Sequence, residues 1–392
     1  MDSVKYSINQ IPSCKTPIGR GGGALKIPFQ EYTFGSFVDR IMQTDFPVQV
    51  RLKVACYFTQ FDNWNTSSPF SLWALFNSRG FRIDQMGEIR VLSKLYFDMQ
   101  LRQKKMATFY AYLNSESKLL LLFTDEKTEA IDQTVGEMAE TASGIYCMFT
   151  SPRTLRDIRS KIMEGFPSSV CFYFTAKHFS QFARKGETRP HIERTIVYFG
   201  DDALQALEEM QQYYGVSPRI MRYRIPDVGS YEIKNTGCFT LLKTEDPIPA
   251  KQLLMRMVDW TSVLVLRSRQ IIERSDFVLI PLKTEEKTFE IPKLIPWTVR
   301  FSKALDNLDA ESLMESMVSE GYTLFNYVMP KGSFRLNGMV LDEKKGNVFT
   351  IDVDSNRMII APKDKISFDA FLRFFATIVE NFDPQATVEE FA

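Results

Sequence analysis

One stretch occurs twice in this chain, and any fold must accommodate both copies. Residues 221–233 read Met-Arg-Tyr-Arg-Ile-Pro-Asp-Val-Gly-Ser-Tyr-Glu-Ile, and residues 325–336 read Phe-Asn-Tyr-Val-Met-Pro-Lys-Gly-Ser-Phe-Arg-Leu. With one residue deleted, Tyr223, Ile225, Pro226, Gly229, Ser230, Tyr231 and Ile233 fall on Tyr327, Met329, Pro330, Gly332, Ser333, Phe334 and Leu336. Each copy alternates as a strand does, turns at Pro and Gly, and alternates again. A helix-like segment precedes each copy, and a further strand and a helix follow. Such a repeat sets the architecture before any residue-level chemistry is considered.

Taken in order, residues 1–23 read as a flexible arm. Their Gly19-Arg20-Gly21-Gly22-Gly23 run is followed by Ala24-Leu25-Lys26-Ile27-Pro28, which does not open the helix that a phosphate-cradling loop requires. Residues 24–105 are expected to form a first, diverged α+β unit. It has a short strand at Leu25–Phe29, a helix near 34–43, alternating segments at about 48–59, 69–77 and 80–86, and a helix over 88–104 carrying Ile89, Leu92, Leu95, Tyr96 and Met99. Residues 106–192 are expected to be a small α/β insertion, with strands at Thr108–Leu113, Lys118–Phe123, Ile145–Phe149 and Val170–Thr175. Its helices lie near 127–141 and after Ser151-Pro152, where the hydroxyl accepts an orphan amide and Pro lacks one.

The second unit spans 193–275 and the third 276–392. Each has a helix stopped by glycine (Gly215, Gly321), three or four strands, and a closing helix. The last helix, 367–382, has Ser367 as cap, Asp369 in its first turn, an Ile366 staple onto Phe371, and an apolar face that includes Ile378, Val379 and Phe382. The fold class is therefore α+β, with repeated strand-helix-three/four-strand-helix units. This element order resembles that of the half-unit of the TATA-binding protein. The likeness is one of order alone; it implies helices laid across curved antiparallel sheets, each leaving one face open.

Charge excludes a global attraction to nucleic acid or an anionic membrane, because 48 basic residues balance 48 acidic ones. The 32 Phe and 15 Tyr suit broad sheet faces packed under helices. The start, Met-Asp-Ser-Val-Lys-Tyr-Ser, has no secretory pattern, and no apolar run of about 18 residues suggests a transmembrane helix. Cys14, Cys56, Cys147, Cys171 and Cys238 are odd in number and scattered, which fits a reducing compartment. A cytoplasmic location without membrane contact is expected.

Two acidic pairs lie just past apolar strands: Asp125-Glu126, and Asp201-Asp202. Carboxylates there are candidate magnesium ligands for phosphoryl transfer if the pairs meet; otherwise they are helix caps. Asp352-x-Asp354-x-Asn356 imitates a calcium loop, but Arg357 and Lys363 stand where Gly and Glu are needed, so a tight turn is expected. Two histidines, His178 and His191, no Gly-x-Ser-x-Gly and no His-Glu-x-x-His disfavour a histidine-base hydrolase, and no catalytic residue is assigned. Locally, residues 151–224 hold twelve basic against eight acidic residues, whereas 301–392 hold nine against fifteen. Arg153, Arg156 and Arg159 on a helix, with Arg219, Arg222, Tyr223 and Arg224 on a strand, form a candidate nucleic-acid-binding set. Arg222 and Arg224 share one strand face; Arg219 and Tyr223 share the other.

Three functions follow, in this order. The first is a non-catalytic binding or scaffold protein presenting sheet surfaces to protein partners or to itself, with no cofactor. The second is a DNA- or RNA-binding protein using 151–224. The third is a metal-dependent phosphoryl-transfer enzyme or nuclease, with Mg at the acidic pairs.

Overall fold

Alternating and helical segments assemble into two antiparallel sheets and a separate hairpin in the computed structural model. It describes residues 25, 27–43, 51–142, 144–148, 150–183, 195–274, 278–283, 288–293, 296–329, 334–344, 346–362 and 368–389. The chain runs α1 (Phe34–Met42), β1 (Leu52–Thr59), α2 (Leu72–Ser78), β2 (Arg82–Met86), β3 (Ile89–Asp98), β4 (Gln103–Asn114) and β5 (Leu119–Thr124). Helix α3 (Thr128–Ile131) passes through a π-helical turn, Asp132–Gly136, into α4 (Glu137–Thr141). There follow β6 (Ile145–Cys147), α5 (Pro152–Gly165), β7 (Val170–Ala183), β8 (Thr195–Phe199), α6 (Ala203–Tyr214), β9 (Gly215–Ile225), β10 (Gly229–Lys234), β11 (Phe239–Thr244) and α7 (Pro247–Arg274). The remainder is β12 (Val278–Lys283), β13 (Thr288–Lys293), β14 (Trp297–Arg300), α8 (Asn307–Ser319), β15 (Tyr322–Val328), β16 (Arg335–Asp342), β17 (Val348–Asp354), β18 (Arg357–Pro362), α9 (Phe368–Asn381) and β19 (Thr387–Glu389).

Local chemistry explains the helix ends. Thr33 and Ser36 form a reciprocal capping box at α1, whose Phe34, Phe37, Val38 and Ile41 are buried. Ser151 Oγ accepts from Thr154 N–H at 3.2 Å, with Pro152 at the first helical position of α5. Helix α6 stops at Gly215, which takes the left-handed conformation at φ 61°. The arm 1–23, the Pro330-Gly332-Ser333 turn of the second copy, and the Ile366 and Ser367 cap lie outside the described residues.

The large sheet has the order β2-β3-β4-β5-β1-β11-β10-β9-β7-β8, with β6 also on β1; the second has the order β15-β16-β17-β18-β14-β19. All these strand pairs are antiparallel. In both β1–β5 and β14–β18 the first strand in sequence pairs with the last. Strands β8–β11 do not close in that way, because β11 pairs instead with β1, and β7 separates β8 from β9.

Several expectations are corrected here. Residues 88–104 hold no helix: β3 places Ile89 and Val91 in one core and Leu92 and Tyr96 in the other. A strand with both faces covered has apolar residues at odd and even positions, which imitates a helical stripe. Residues 72–78 are helical rather than extended, capped by Ser71 and burying Leu72 and Phe76 one turn apart. The strands of 106–192 form no layer of their own, since β4, β5, β6 and β7 all pair into the large sheet. The expected boundary at 105/106 falls inside β4. Leu25 and Ile27 are buried but lie in no strand.

One face of the large sheet joins the main core with α1, α5, α6 and α7, and over β1, β3, β4 and β5 the other face is covered by α2, α3 and α4. No helix among the described residues is long and apolar enough to cross a membrane.

At the β3–β4 turn, Asp98 has a fully buried side chain whose Oδ1 accepts from the Gln100 and Leu101 amides at 3.1 and 3.0 Å. Its Oδ2 lies 2.8 Å from Lys105 Nζ. The Lys105 hydrogen bond, then the Leu101 amide, hold the carboxyl down at about 2. A folded-state value below the unfolded value of about 3.9 stabilises the fold above that unfolded value. This contribution should be lost as pH falls from about 4 through about 2. Thermal melts across pH 2–7 (roughly the window in which such a carboxylate titrates) should show that Asp98→Asn is less stable at neutral pH and has a flatter acid limb. Equal slopes for both proteins would refute this role.

Candidate functional site

The expected basic residues separate into two places. On β9, alternation buries Met221, Tyr223 and Ile225 and turns Arg222 and Arg224 outward. Backbone register aligns Arg222 with Tyr173 on β7, and Tyr173 with Phe199 on β8. The Arg222 guanidinium lies 4.1 Å from the Tyr173 ring centroid, and its Nε is 2.7 Å from Glu232 Oε2. Arg224 lies 5.8 Å from the Phe172 centroid and donates from Nη2 to both Asp201 oxygens, at 2.8 and 2.9 Å. Phe172 meets Phe199 edge-on at 5.9 Å.

This face ends at β8, the last strand of the large sheet among the described residues, where Val197 is 61% and Phe199 77% exposed. The arginines therefore present guanidiniums already stacked on rings and matched by carboxylates. A phosphate would have to displace Glu232 and Asp201 to bind them bidentately.

Tyr223 does not belong to a stacking surface. It is 2% exposed and lies flat against Tyr231, ring centroids 5.2 Å apart, because odd positions of β9 face the core. Phe172, Tyr173, Val197 and Phe199 were not singled out from sequence, since an alternating apolar strand has the same pattern whether or not its outer face is covered.

The second place is a polar cleft of about 480 Å³, lined by Arg156 and Arg159 of α5, Glu208, Gln211 and Gln212 of α6, and Ser302, Lys303 and Gln385 from the C-terminal region. Arg159 Nη1 lies 3.3 Å from Glu208 Oε1, while its buried Nε has no hydrogen-bond acceptor among the described residues. Arg156 is exposed. The side chain of Arg153 lies outside the described residues. The cleft shares Arg156, Gln211 and Gln385 with a hollow of about 280 Å³ that reaches Ser217, and Ser217 also belongs to a seam containing Lys177, Arg219, Asn235 and Glu380.

Polar bonds hold that seam. Lys177 Nζ donates to Asn381 Oδ1 at 2.8 Å, and Asn235 Nδ2 donates to Glu380 Oε1. Burial pushes the Glu380 carboxyl above its usual range, against the pull of Arg219. Ser302 donates from its backbone N and its Oγ to Asp383 at 2.7 and 2.9 Å.

The acidic pairs do not meet. Asp125-Glu126 follows β5 and Asp201-Asp202 follows β8, with β1, β11, β10, β9 and β7 between them. Six steps of about 4.8 Å put the pairs on the order of 25–30 Å apart along the sheet, so they cannot share the roughly 4 Å spacing of a two-metal centre. Nor do they cap helices through their side chains. Asp125 accepts from the Leu25 amide at 2.7 Å, Glu126 from the Thr108 amide at 3.2 Å, and Asp202 from the Tyr198 hydroxyl at 2.8 Å. Burial, first of all, raises the Glu126 carboxyl.

Asp354 closes the β17–β18 turn, accepting from the Asn356 and Arg357 amides at 2.9 and 3.0 Å, as a tight turn requires. Cys171 is buried, and burial raises its thiol to about 11, so the thiolate nucleophile is scarce at neutral pH.

Comparison with known proteins adds relatives to this geometry. A family model described as a family middle domain, AF_0896_M, matches residues 154–236. That span runs from α5 past β10, includes Arg156, Arg159, Arg219, Arg222 and Arg224, and crosses the boundary expected at 192/193. A protein of Archaeoglobus fulgidus named "Uncharacterized protein" is 25% identical over 354 residues, covering 81% of this chain and 90% of that protein. No solved structure matches the chain. The central region is thus similar to that family's middle domain, and most of the chain is similar to the archaeal protein.

Proposed function

We propose that this is a non-catalytic binding protein whose docking element is the edge strand β8, and that its partner is a second copy of the chain. The observation that carries this reading is that β8, Thr-Ile-Val-Tyr-Phe, is an edge strand without charge or proline and with Val197 and Phe199 exposed. Edge strands are ordinarily protected by just such charges or prolines.

The sequence of β8 is self-complementary. Antiparallel pairing about a two-fold at Val197 sets Val197 opposite Val197, Ile196 opposite Tyr198, and Thr195 opposite Phe199. The last two are the aromatic and β-branched pairs that stabilise sheets. Beside them, the neutralised Arg222 and Arg224 favour a protein surface over a polyanion, since their carboxylate partners are already in place.

Sedimentation velocity up to about 100 µM, the range of weak, transient association, should detect a dimer. Val197→Lys places like charges opposite each other on the two-fold and should weaken it about a hundredfold, with an unchanged melting temperature. A wild-type protein that remains monomeric at the top of that range, or a Val197→Lys dimer of undiminished affinity, would refute the reading.

A further inference from the structure

We propose that the cleft between α5, α6 and the C-terminal region binds a small phosphorylated molecule with a hydroxyl-rich body, its phosphate held by Arg156 and Arg159. The site is independent of β8 and of any self-association through it. Three observations converge on this ligand chemistry.

The first is charge. Arg156, Arg159 and Lys303 face the cleft, with Glu208 as the single carboxylate of its lining among the described residues. Lys303 is bonded to Asp309 at 3.1 Å and Arg159 to Glu208 at 3.3 Å, so Arg156 leads in holding an anion, with Arg159 one turn away on α5 sharing it through its remaining guanidinium donors. Arg156 makes no ion pair among the described residues.

The second is an unfulfilled donor. Arg159 Nη1 reaches Glu208 at 3.3 Å, yet its Nε is buried without an acceptor among the described residues. A buried guanidinium N–H left unmatched is costly, and an oxyanion that draws the Arg159 head toward the cleft gives it an acceptor.

The third is the remainder of the lining. Gln211, Gln212 and Gln385 provide amides, and the Ser302 hydroxyl, whose proton goes to Asp383, remains an acceptor; these match hydroxyl groups. No aromatic side chain among the described residues lines the cleft, so they offer a nucleobase no ring to stack on, which favours this ligand over nucleotides and single-stranded nucleic acid. About 480 Å³ falls within the size range of small-molecule sites and exceeds what inorganic phosphate needs.

Titration calorimetry on the full chain, with glucose 6-phosphate, inorganic phosphate, glucose and a short single-stranded oligonucleotide as probes, tests the proposal. Glucose 6-phosphate should bind most tightly, inorganic phosphate more weakly, and glucose without measurable heat. Arg156→Gln, at an exposed position that does not threaten folding, should weaken both phosphate-bearing small probes roughly tenfold. Arg82→Gln, on β2 at the opposite edge of the large sheet and paired with Asp84, should leave them unchanged. Absence of binding by glucose 6-phosphate, binding insensitive to Arg156→Gln, or binding of the oligonucleotide alone would each overturn the assignment. Dimerisation is measured separately by sedimentation, so failure here and failure of the β8 reading are distinguishable.

Discussion

Tyr223→Ala is expected to lower the unfolding free energy by about 3–5 kcal/mol, the cost of deleting a buried aromatic ring and leaving its cavity. The ring is 2% exposed, stacked on Tyr231, and flanked by Met221 and Ile225 on the buried side of β9. Tyr223→Phe should cost less than about 1.5 kcal/mol, because the hydroxyl makes only a weak bond, to Met221 Sδ at 3.4 Å. Urea denaturation of the two variants measures both values. A surface tyrosine available to a ligand would give a change within about 0.5 kcal/mol for either substitution, and that result would return Tyr223 to the binding surface.

Gly229→Ala should be at least as damaging. Gly229 has φ +130°, a region closed to side chains, and an added Cβ would sit 2.0 Å from the Lys243 carbonyl oxygen and 2.9 Å from its carbon. Those atoms are backbone of β11, so the clash cannot be relieved by rotating a side chain. Strain of this kind costs of order 1–3 kcal/mol even without a clash, and the loss of β10–β11 pairing adds to it. We expect a total above about 3 kcal/mol. Strand β11 is also the one that joins β10 to β1, so moving it loosens the connection between the two halves of the large sheet. Loss of a single cooperative melt, or insoluble expression, is the expected readout; a wild-type melting temperature would show that the turn accepts a Cβ. Gly229 aligns in sequence with Gly332, which lies outside the described residues.

Much of the local architecture was readable in the residues. Caps at Ser151 and Gly215, the apolar stripe of α1 and the alternation of β9 were all sufficient to place their elements. The outward pairing of Arg222 with Arg224 followed from the same alternation. Reading failed where a strand is covered on both faces, as at Ile89–Asp98, because apolar residues at every parity erase the period of two. It failed at Leu72–Ser78 because a short helix buries only Leu72 and Phe76, too few to outweigh an apparent alternation.

The candidate sites divide along the same line. Sequence identified Arg156 and Arg159 as part of a basic helix and Arg222 with Arg224 as basic residues on one strand face. It gave no sign of Glu232 and Asp201 as their neutralising partners on the open face, or of Lys303 and Gln385 as the opposite wall of the cleft. The acidic pairs look equivalent in the chain, each following an apolar strand, but five strands intervene between them in the sheet.

By itself, then, the sequence determined what is satisfied within a few residues: helix caps, turns, the two faces of each strand and the α+β class. Only the tertiary structure decided which strands are neighbours. Pairing β11 with β1 joins residues 239–241 to residues 52–54, and β7 intervenes between β8 and β9 although β8 and β9 are nearer in sequence. Strand order is selected by the sum of non-local hydrogen bonds and buried area over the whole sheet, against the entropy of closing long loops. That balance leaves no local mark, yet it places β8 at an edge with its outer face open, and it brings α5 against the C-terminal region to form the cleft.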